Sequence, residues 1–332
     1  MHTVKRICAL AVGFVLFLAG LLKLMDPVGA GFQMEAYFRF LHLSFLSPLA
    51  EVAAVTFALV ETFLGVAVIT GIRRGLVGQI SLCLLSFFTI LTLIVWIANP
   101  DIECGCFGEA IHLTHGQSLL KNVVLLALWA VAFLPYETLE DSPRIKYVSF
   151  WIVCASSLLF LIYSILHIPL VDYTSLKPGA ELSGSDLHVY DTVGEYRDSL
   201  LTDGKAVVIS VFNPESLSEK DWSGLSEFAE TADAAGMKPL LIASGDPEEI
   251  PVKVLLADHR MLMTLNRSNG GATYIADGQV IKKWSSRSLP EKDDLESLAA
   301  ANLVESLISA NAPERLKLQG FLLYVFAVML LL

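Results

Sequence analysis

The chain has 332 residues, 54% of them hydrophobic and 17% charged, with a mean hydropathy of +0.60, and a purely soluble fold cannot hide that much apolar surface. A formal net charge of -11 argues against a nucleic-acid partner, since phosphate neutralisation needs clustered Lys and Arg. Five scattered cysteines are too few for a disulfide scaffold, which leaves a bilayer protein with room for one further folded module.

From Ile7 to Leu24 the chain is almost wholly apolar and follows Lys5 and Arg6, so it reads either as a signal peptide or as a first spanning helix. The run exceeds the roughly 7 to 15 residues of a signal core, and Lys23 and Asp26 separate it from the small residues Val28-Gly29-Ala30. A retained helix is therefore preferred. Similar runs follow at Val52 to Ile72, Leu76 to Ala98, Leu119 to Leu134 and Val148 to Ile168, each near the ~20 residues that cross a hydrocarbon core. Lys5 and Arg6, Arg73 and Arg74, and Arg144 and Lys146 fall on one face, which the positive-inside rule makes cytoplasmic. Arg39 is the exception. The opposite, non-cytoplasmic face receives the Pro27 to Pro48 loop, the Asn99 to Gln117 loop and residues 169–312.

Beyond Pro169 the composition becomes that of a soluble domain, entered through a linker over 169–184 that contains Pro178-Gly179 and Ser183-Gly184. Ala206 to Phe212 reads as a buried strand, Trp222 to Ala235 as a helix, and Pro239 to Ala243 as a second strand, a βαβ unit with a parallel pair. Ala272 to Ile275 and Val280 to Trp284 flank Asp277-Gly278, a hairpin signal, and Leu295 to Ala310 suggests a closing helix. Residues 316–332 form a short apolar C-terminal helix, either a sixth span or an interfacial anchor.

The segment Glu103-Cys104-Gly105-Cys106-Phe107-Gly108 carries the strongest chemical signal. Outside the cytosol a close thiol pair can stay oxidised, and Gly105 allows the backbone angles that so small a ring demands. Such a ring is strained, and strain favours exchange over structural stapling. The plain alternative is two cysteines in a tight glycine turn. A further reading takes Cys104, Cys106, His112 and His115 as zinc or copper ligands, although their spacing is that of no familiar module, and Thr114 with Gln117 forms a capping box that accounts for the stretch as a helix start. Glu61 lies inside the second span, where an ionised group costs roughly 2.5 to 3.5 kcal/mol, so it needs a partner or a function. Its expected depth puts it well below Cys104. Lys23 can snorkel to the outer interface. Cys8, Cys83 and Cys154 read as packing residues within apolar runs. No cysteine follows Cys154, so the soluble domain cannot exchange thiols, and Asp246, Glu248 and Glu249 read as a solvated acidic loop.

These residues resemble a known family. Ala19-Gly20-Leu21-Leu22-Lys23-Leu24-Met25-Asp26-Pro27 looks like the opening of DoxX-type membrane proteins, as do Glu61, Leu64-Gly65 and Thr70-Gly71. Cys104-Gly105-Cys106-Phe107-Gly108, Leu113-Thr114 and Lys121-Asn122 are similar to the methylamine-utilisation MauE branch. The likeness covers about the first 135 residues. It implies a four-helix bundle over 1–137, like that of vitamin K epoxide reductase-type proteins; with the separate apolar run read as a fifth helix over 147–168, the chain is expected to be a multi-pass α-helical membrane protein. It also implies disulfide chemistry in the maturation of an exported client, with Cys104 and Cys106 at the family's cysteine positions and quinone as a cofactor by analogy. Residues 185–312 resemble a thioredoxin-like α/β module that lacks its cysteine pair; such a module can still bind a partner protein. The proline expected after Arg267-Ser268-Asn269 is Gly270 here.

Overall fold

A computed structural model of the chain describes residues 2–100, 102, 104–135, 144–245, 250 and 252–332. Glu103 and the acidic residues Asp246, Glu248 and Glu249 lie outside the described residues. The chain divides into two compact units, one comprising Met1–Ile165 with Leu322–Leu332 and the other Leu166–Phe321.

The first unit is helical. Its long helices are α1 (His2–Met25), α3 (Ala50–Thr70), α4 (Arg74–Ala98), α5 (His115–Phe133) and α6 (Arg144–Leu166). Five helical segments built on these are long and apolar enough to cross a membrane. Large apolar side chains such as Ile90, Ile97, Trp151 and Leu159 are exposed on them, which suits a surface solvated by lipid tails. Small residues let α1 and α3 approach closely: a Cβ on Gly20 would fall 2.3 Å from Thr62 Oγ1 and 2.5 Å from the Ala58 carbonyl oxygen. Between α4 and α5 the polar groups pair. Trp129 Nε1 donates to Ser81 Oγ at 2.9 Å and to the Gly78 carbonyl at 3.0 Å. Asn122 Nδ2 donates to Thr92 Oγ1 at 3.1 Å and to the Phe88 carbonyl at 3.2 Å.

Several expectations need correction here. The Pro27 to Pro48 segment is not a loop but holds a helix, α2 (Pro27–Phe40), followed by a 3-10 turn at Ser44–Leu49. Asp26 caps α2 by accepting from the Gly29 amide at 3.0 Å, and Pro27 sits at its first position, where a missing N–H costs nothing. Cys8 and Cys154 are buried, but Cys83 is exposed on the outer face of α4 and is not a packing residue. The C-terminal apolar run is no short helix confined to 316–332. It belongs to α11 (Leu303–Leu331), whose last part packs on α6: Phe160 stacks on Tyr324 at 6.1 Å, Ser156 and Tyr324 hydroxyls are 2.9 Å apart, and Lys146 donates to the Leu332 carbonyl. This end therefore runs antiparallel to α6.

The second unit is a mixed α/β fold around a six-stranded sheet. The strands are β2 (Val189–Tyr190), β3 (Lys205–Val211), β4 (Lys238–Ala243), β5 (Leu255–Ala257), β6 (Gly271–Ala276) and β7 (Gln279–Trp284), in the spatial order β2-β5-β4-β3-β6-β7. The pairs β3/β4 and β4/β5 are parallel, and the others are antiparallel. Strand alternation sends Val207, Ile209 and Val211 to one face, under α8 (Glu219–Ala234) and α10 (Lys292–Ala300) through Trp222, Leu225, Phe228 and Leu295. Ala206 and Val208 face the other side, with Leu262 and Leu265 of α9 (His259–Leu265).

The βαβ unit and the hairpin lie where the sequence placed them, whereas β2 and β5, of two and three residues, carry too short a pattern to be read. The closing helix expected over Leu295 to Ala310 is interrupted after α10, where Lys205 Nζ donates to the carbonyls of Ala299 and, at 3.1 Å, Ala301. The expected linker over 169–184 is instead part of this fold. Leu176 and Leu182 are buried on the sheet, the Gly179 amide donates to the Val280 carbonyl at 2.7 Å, and the Asp172 carboxylate meets Lys283 Nζ at 2.7 Å. Its leucines give it an apolar surface that a solvated tether would leave in water.

Candidate functional site

Beside the Lys23–Glu61 contact, the first unit encloses a cavity of about 310 Å³. Apolar side chains, among them Phe57, Phe87, Phe88 and Leu91, form most of its wall. Cys104, Gly105, Cys106, Lys23, Glu61 and Lys121 line it together. Glu61 and the cysteine loop thus border the same space, although the sequence puts them at different depths. The strand β1 (Cys106–Glu109) lies over the C-terminal end of α1, with Gly108 in contact range of the Leu22 and Lys23 backbone.

Lys23 does not snorkel outward. Its Nζ is 2.7 Å from Glu61 Oε2, with side-chain exposures of 13% and 4%, which answers the demand of a buried carboxylate for a partner. The Phe88 ring lies 5.7 Å from the same ammonium and adds a weaker attraction. Local sequence explains the pairing. Gly20 lies one helical turn before Lys23, Thr62 follows Glu61, and their close packing sets the spacing that the two side chains span.

The cysteine loop is held from above by α2. Tyr37 Oη donates to the Cys104 carbonyl at 2.8 Å. Gly105 has φ +57°, a backbone angle that favours glycine, and a Cβ there would stand 2.6 Å from Gln33 Oε1, so a larger residue would also have to displace that side chain. Cys104 is buried, at 5% exposure, whereas Cys106 is half-buried, and both are in the thiol form. Burial, and then the charge that Cys104 and Cys106 would carry as thiolates, push the Tyr37 phenol above its ordinary pKa, so it remains a neutral donor. Lys121 Nζ sits 5.0 Å over the Phe107 ring, one residue from Cys106.

The four residues of the metal reading do not come together. Among the described residues no group of three or more His, Cys, Asp or Glu is placed to hold a metal. His112 is exposed, and the His115 ring serves the α4–α5 connection, donating from Nε2 to the Ile102 carbonyl at 2.9 Å with Nδ1 3.3 Å from Asn99 Oδ1. The capping box at Thr114 and Gln117 is present. Sequence reasoning missed Tyr37, Gln33 and Lys121. Asp26-Pro27, a helix cap followed by a first-turn proline, was the signal that could have found α2 and with it the first two.

In the second unit, Gly270 stands where the resemblance expects proline. It adopts φ +75°, and its amide donates to the Ser210 carbonyl at 2.8 Å. Proline can do neither. Nearby, Asn269 ties the loop after β3 to the loop before β6, accepting from the Asn213 amide at 3.0 Å and donating to the Asn213 carbonyl at 2.8 Å.

With this geometry established, one comparison is decisive for the first unit. Residues 1–135 match the family model described as methylamine utilisation protein MauE. Every residue lining the cavity falls inside the MauE-matched segment, and α6 and the second unit fall outside it. With five apolar helices, the match makes this a membrane protein. Neither the curated proteins nor the solved structures give a match to the chain.

Proposed function

We propose that this is a bacterial inner-membrane protein that exchanges thiols and disulfides with exported clients through Cys104 and Cys106. The observation that carries the reading is the shared cavity: two cysteines on a glycine turn, a buried ion pair and Lys121 line one largely apolar chamber. In the working cycle two client thiols reduce the Cys104–Cys106 disulfide, giving a client disulfide and two cysteine thiols. A quinone, suggested by the family resemblance and compatible with an apolar chamber ringed by Phe57, Phe87 and Phe88, takes up the two electrons and two protons and restores the disulfide. The basic residues Lys5, Arg6, Arg73, Arg74, Arg144 and Lys146 favour a cytoplasmic N-terminus, with the second unit periplasmic. A parallel β3/β4 pair extended by antiparallel β6 and β7 supports reading that unit as thioredoxin-like. Without cysteines, its part is to hold a partner or client.

The test uses membranes carrying the full chain, a reduced dithiol peptide and a short-chain quinone. Peptide oxidation is expected with the native chain and is expected to vanish in Cys104→Ala and Cys106→Ala. A second reading rests on the cysteine-free second unit: a non-enzymatic assembly factor in which the Cys-Gly-Cys turn only shapes a loop. It predicts unchanged cellular function in Cys106→Ala and no mixed disulfide with any exported protein.

A further inference from the structure

The two sulfurs are not equivalent, and we infer that Cys106 is the sulfur a client thiolate attacks while Cys104 is the sulfur released into the cavity. The inference rests on the exchange reading above and adds the order of events. Cys104 is 5% exposed, and its carbonyl is anchored beneath α2 by the Tyr37 hydroxyl. Gln33 of the same helix fills the space over Gly105. Cys106 opens β1 and keeps partial contact with solvent. Attack on a disulfide requires approach along the sulfur–sulfur axis from the side opposite the leaving sulfur. Cys106, the more exposed of the two, is the sulfur that a client held outside can reach, whereas Cys104 is buried and tied to α2 through its carbonyl.

The step balances within the site. The client thiolate forms a bond to Cys106 Sγ, the Cys104–Cys106 bond breaks, and Cys104 Sγ departs as a thiolate. It departs into a chamber whose wall holds Lys121 and the Lys23–Glu61 pair; Glu61 already balances Lys23, so Lys121 is the cation that favours an anionic sulfur. The client's second thiolate then attacks the client sulfur of the mixed disulfide. That closes the client disulfide and expels Cys106 as a thiolate, and the two cysteine sulfurs take up the two protons lost by the client. Tyr37 is a positioning residue here: it touches the Cys104 backbone and holds that residue back from solvent.

The reduced, full-length native chain in lipid nanodiscs is treated with a limiting amount of a charged maleimide, and the modified sites are mapped by mass spectrometry. Cys106 is expected to be labelled roughly tenfold or more ahead of Cys104, in keeping with the dependence of thiol reactivity on access. Tyr37→Phe is expected to narrow that ratio by raising labelling at Cys104 with no change in thermal unfolding. Equal labelling, or Cys104 ahead, overturns the order and leaves exchange itself standing. Titration of the native chain in glutathione redox buffer separates the two failures, because absence of any Cys104–Cys106 disulfide removes the exchange reading and the order with it.

Discussion

The two units each bury a lysine–carboxylate pair at 2.7 Å, Lys23 with Glu61 in the bundle and Lys283 with Asp172 in the α/β fold, and their surroundings differ. Lys283 is 5% exposed, and its ammonium also lies 3.4 Å from Thr174 Oγ1 and from the Thr264 carbonyl, while the Thr174 amide donates to Asp172 at 2.9 Å. Those partners close the site. Lys23 and Glu61 face an open chamber beside two cysteines. The same pair chemistry thus seals one fold and equips the other. A closed pair fixes a segment, here the residues leading into the sheet, whereas a pair on a cavity wall offers charge to whatever enters.

If the contrast is sound, Asp172→Ala is the more damaging of the two truncations, since it strands Lys283, only 5% exposed, without its carboxylate. Loss of about 3–5 kcal/mol is expected, read as hydrogen-exchange protection across β7. Replacing both residues together, as Asp172→Leu with Lys283→Met, is expected to recover much of it. Glu61→Ala should cost less, about 2–3 kcal/mol by thermal unfolding in nanodiscs, because Lys23 keeps the Phe88 ring and cavity space. An equal cost at both sites would remove the distinction.

Acid sharpens the comparison from another side. Burial opposes the charge on Asp172, but Lys283 and the hydrogen bonds from Thr174 outweigh it and hold the carboxyl below its usual range. A depressed folded pKa contributes stability that is present above the unfolded value of about 3.9 and is lost as the pH falls through the folded value. The second unit should therefore lose melting temperature below about pH 4, and Asp172→Asn, already weakened, should show a shallower fall in that window.

Gly20→Ala tests how the cavity pair is spaced. A methyl group against Thr62 and the Ala58 carbonyl forces α1 from α3, at a cost of about 1–3 kcal/mol and with loss of the Lys23–Glu61 contact. The expected readout is a lowered melting temperature together with weakened peptide oxidation. Thr114→Ala, which removes one half of the capping box on α5, should cost only about 1 kcal/mol and leave cysteine labelling unchanged.

Much of the architecture was legible because it depends on local pattern. Apolar runs near the span length marked the long helices, strand-length apolar runs marked β3 and β4, and Asp277-Gly278 marked the turn between β6 and β7. The cysteine loop and Glu61 were also visible, since their chemistry is unusual wherever they fall. α2 was hidden because its apolar and polar residues make no strong stripe, and the segment from Pro169 to Gly184 looked like a tether because turn residues mask the leucines that dock on the sheet.

By itself the sequence determined that this protein enters a membrane, that a second fold follows the helices, and which few residues can do chemistry. Hydropathy and residue type act locally, so order in the chain is enough to read them. Only the tertiary structure decided that Lys23 reaches Glu61, that Tyr37 bonds to the Cys104 carbonyl, that four candidate metal ligands stay apart, and that cysteines and ion pair share one chamber. Such contacts join residues up to tens of positions apart, and they depend on how closely helices approach. That distance is set by the packing of side chains from separate segments, which no single stretch of chain encodes.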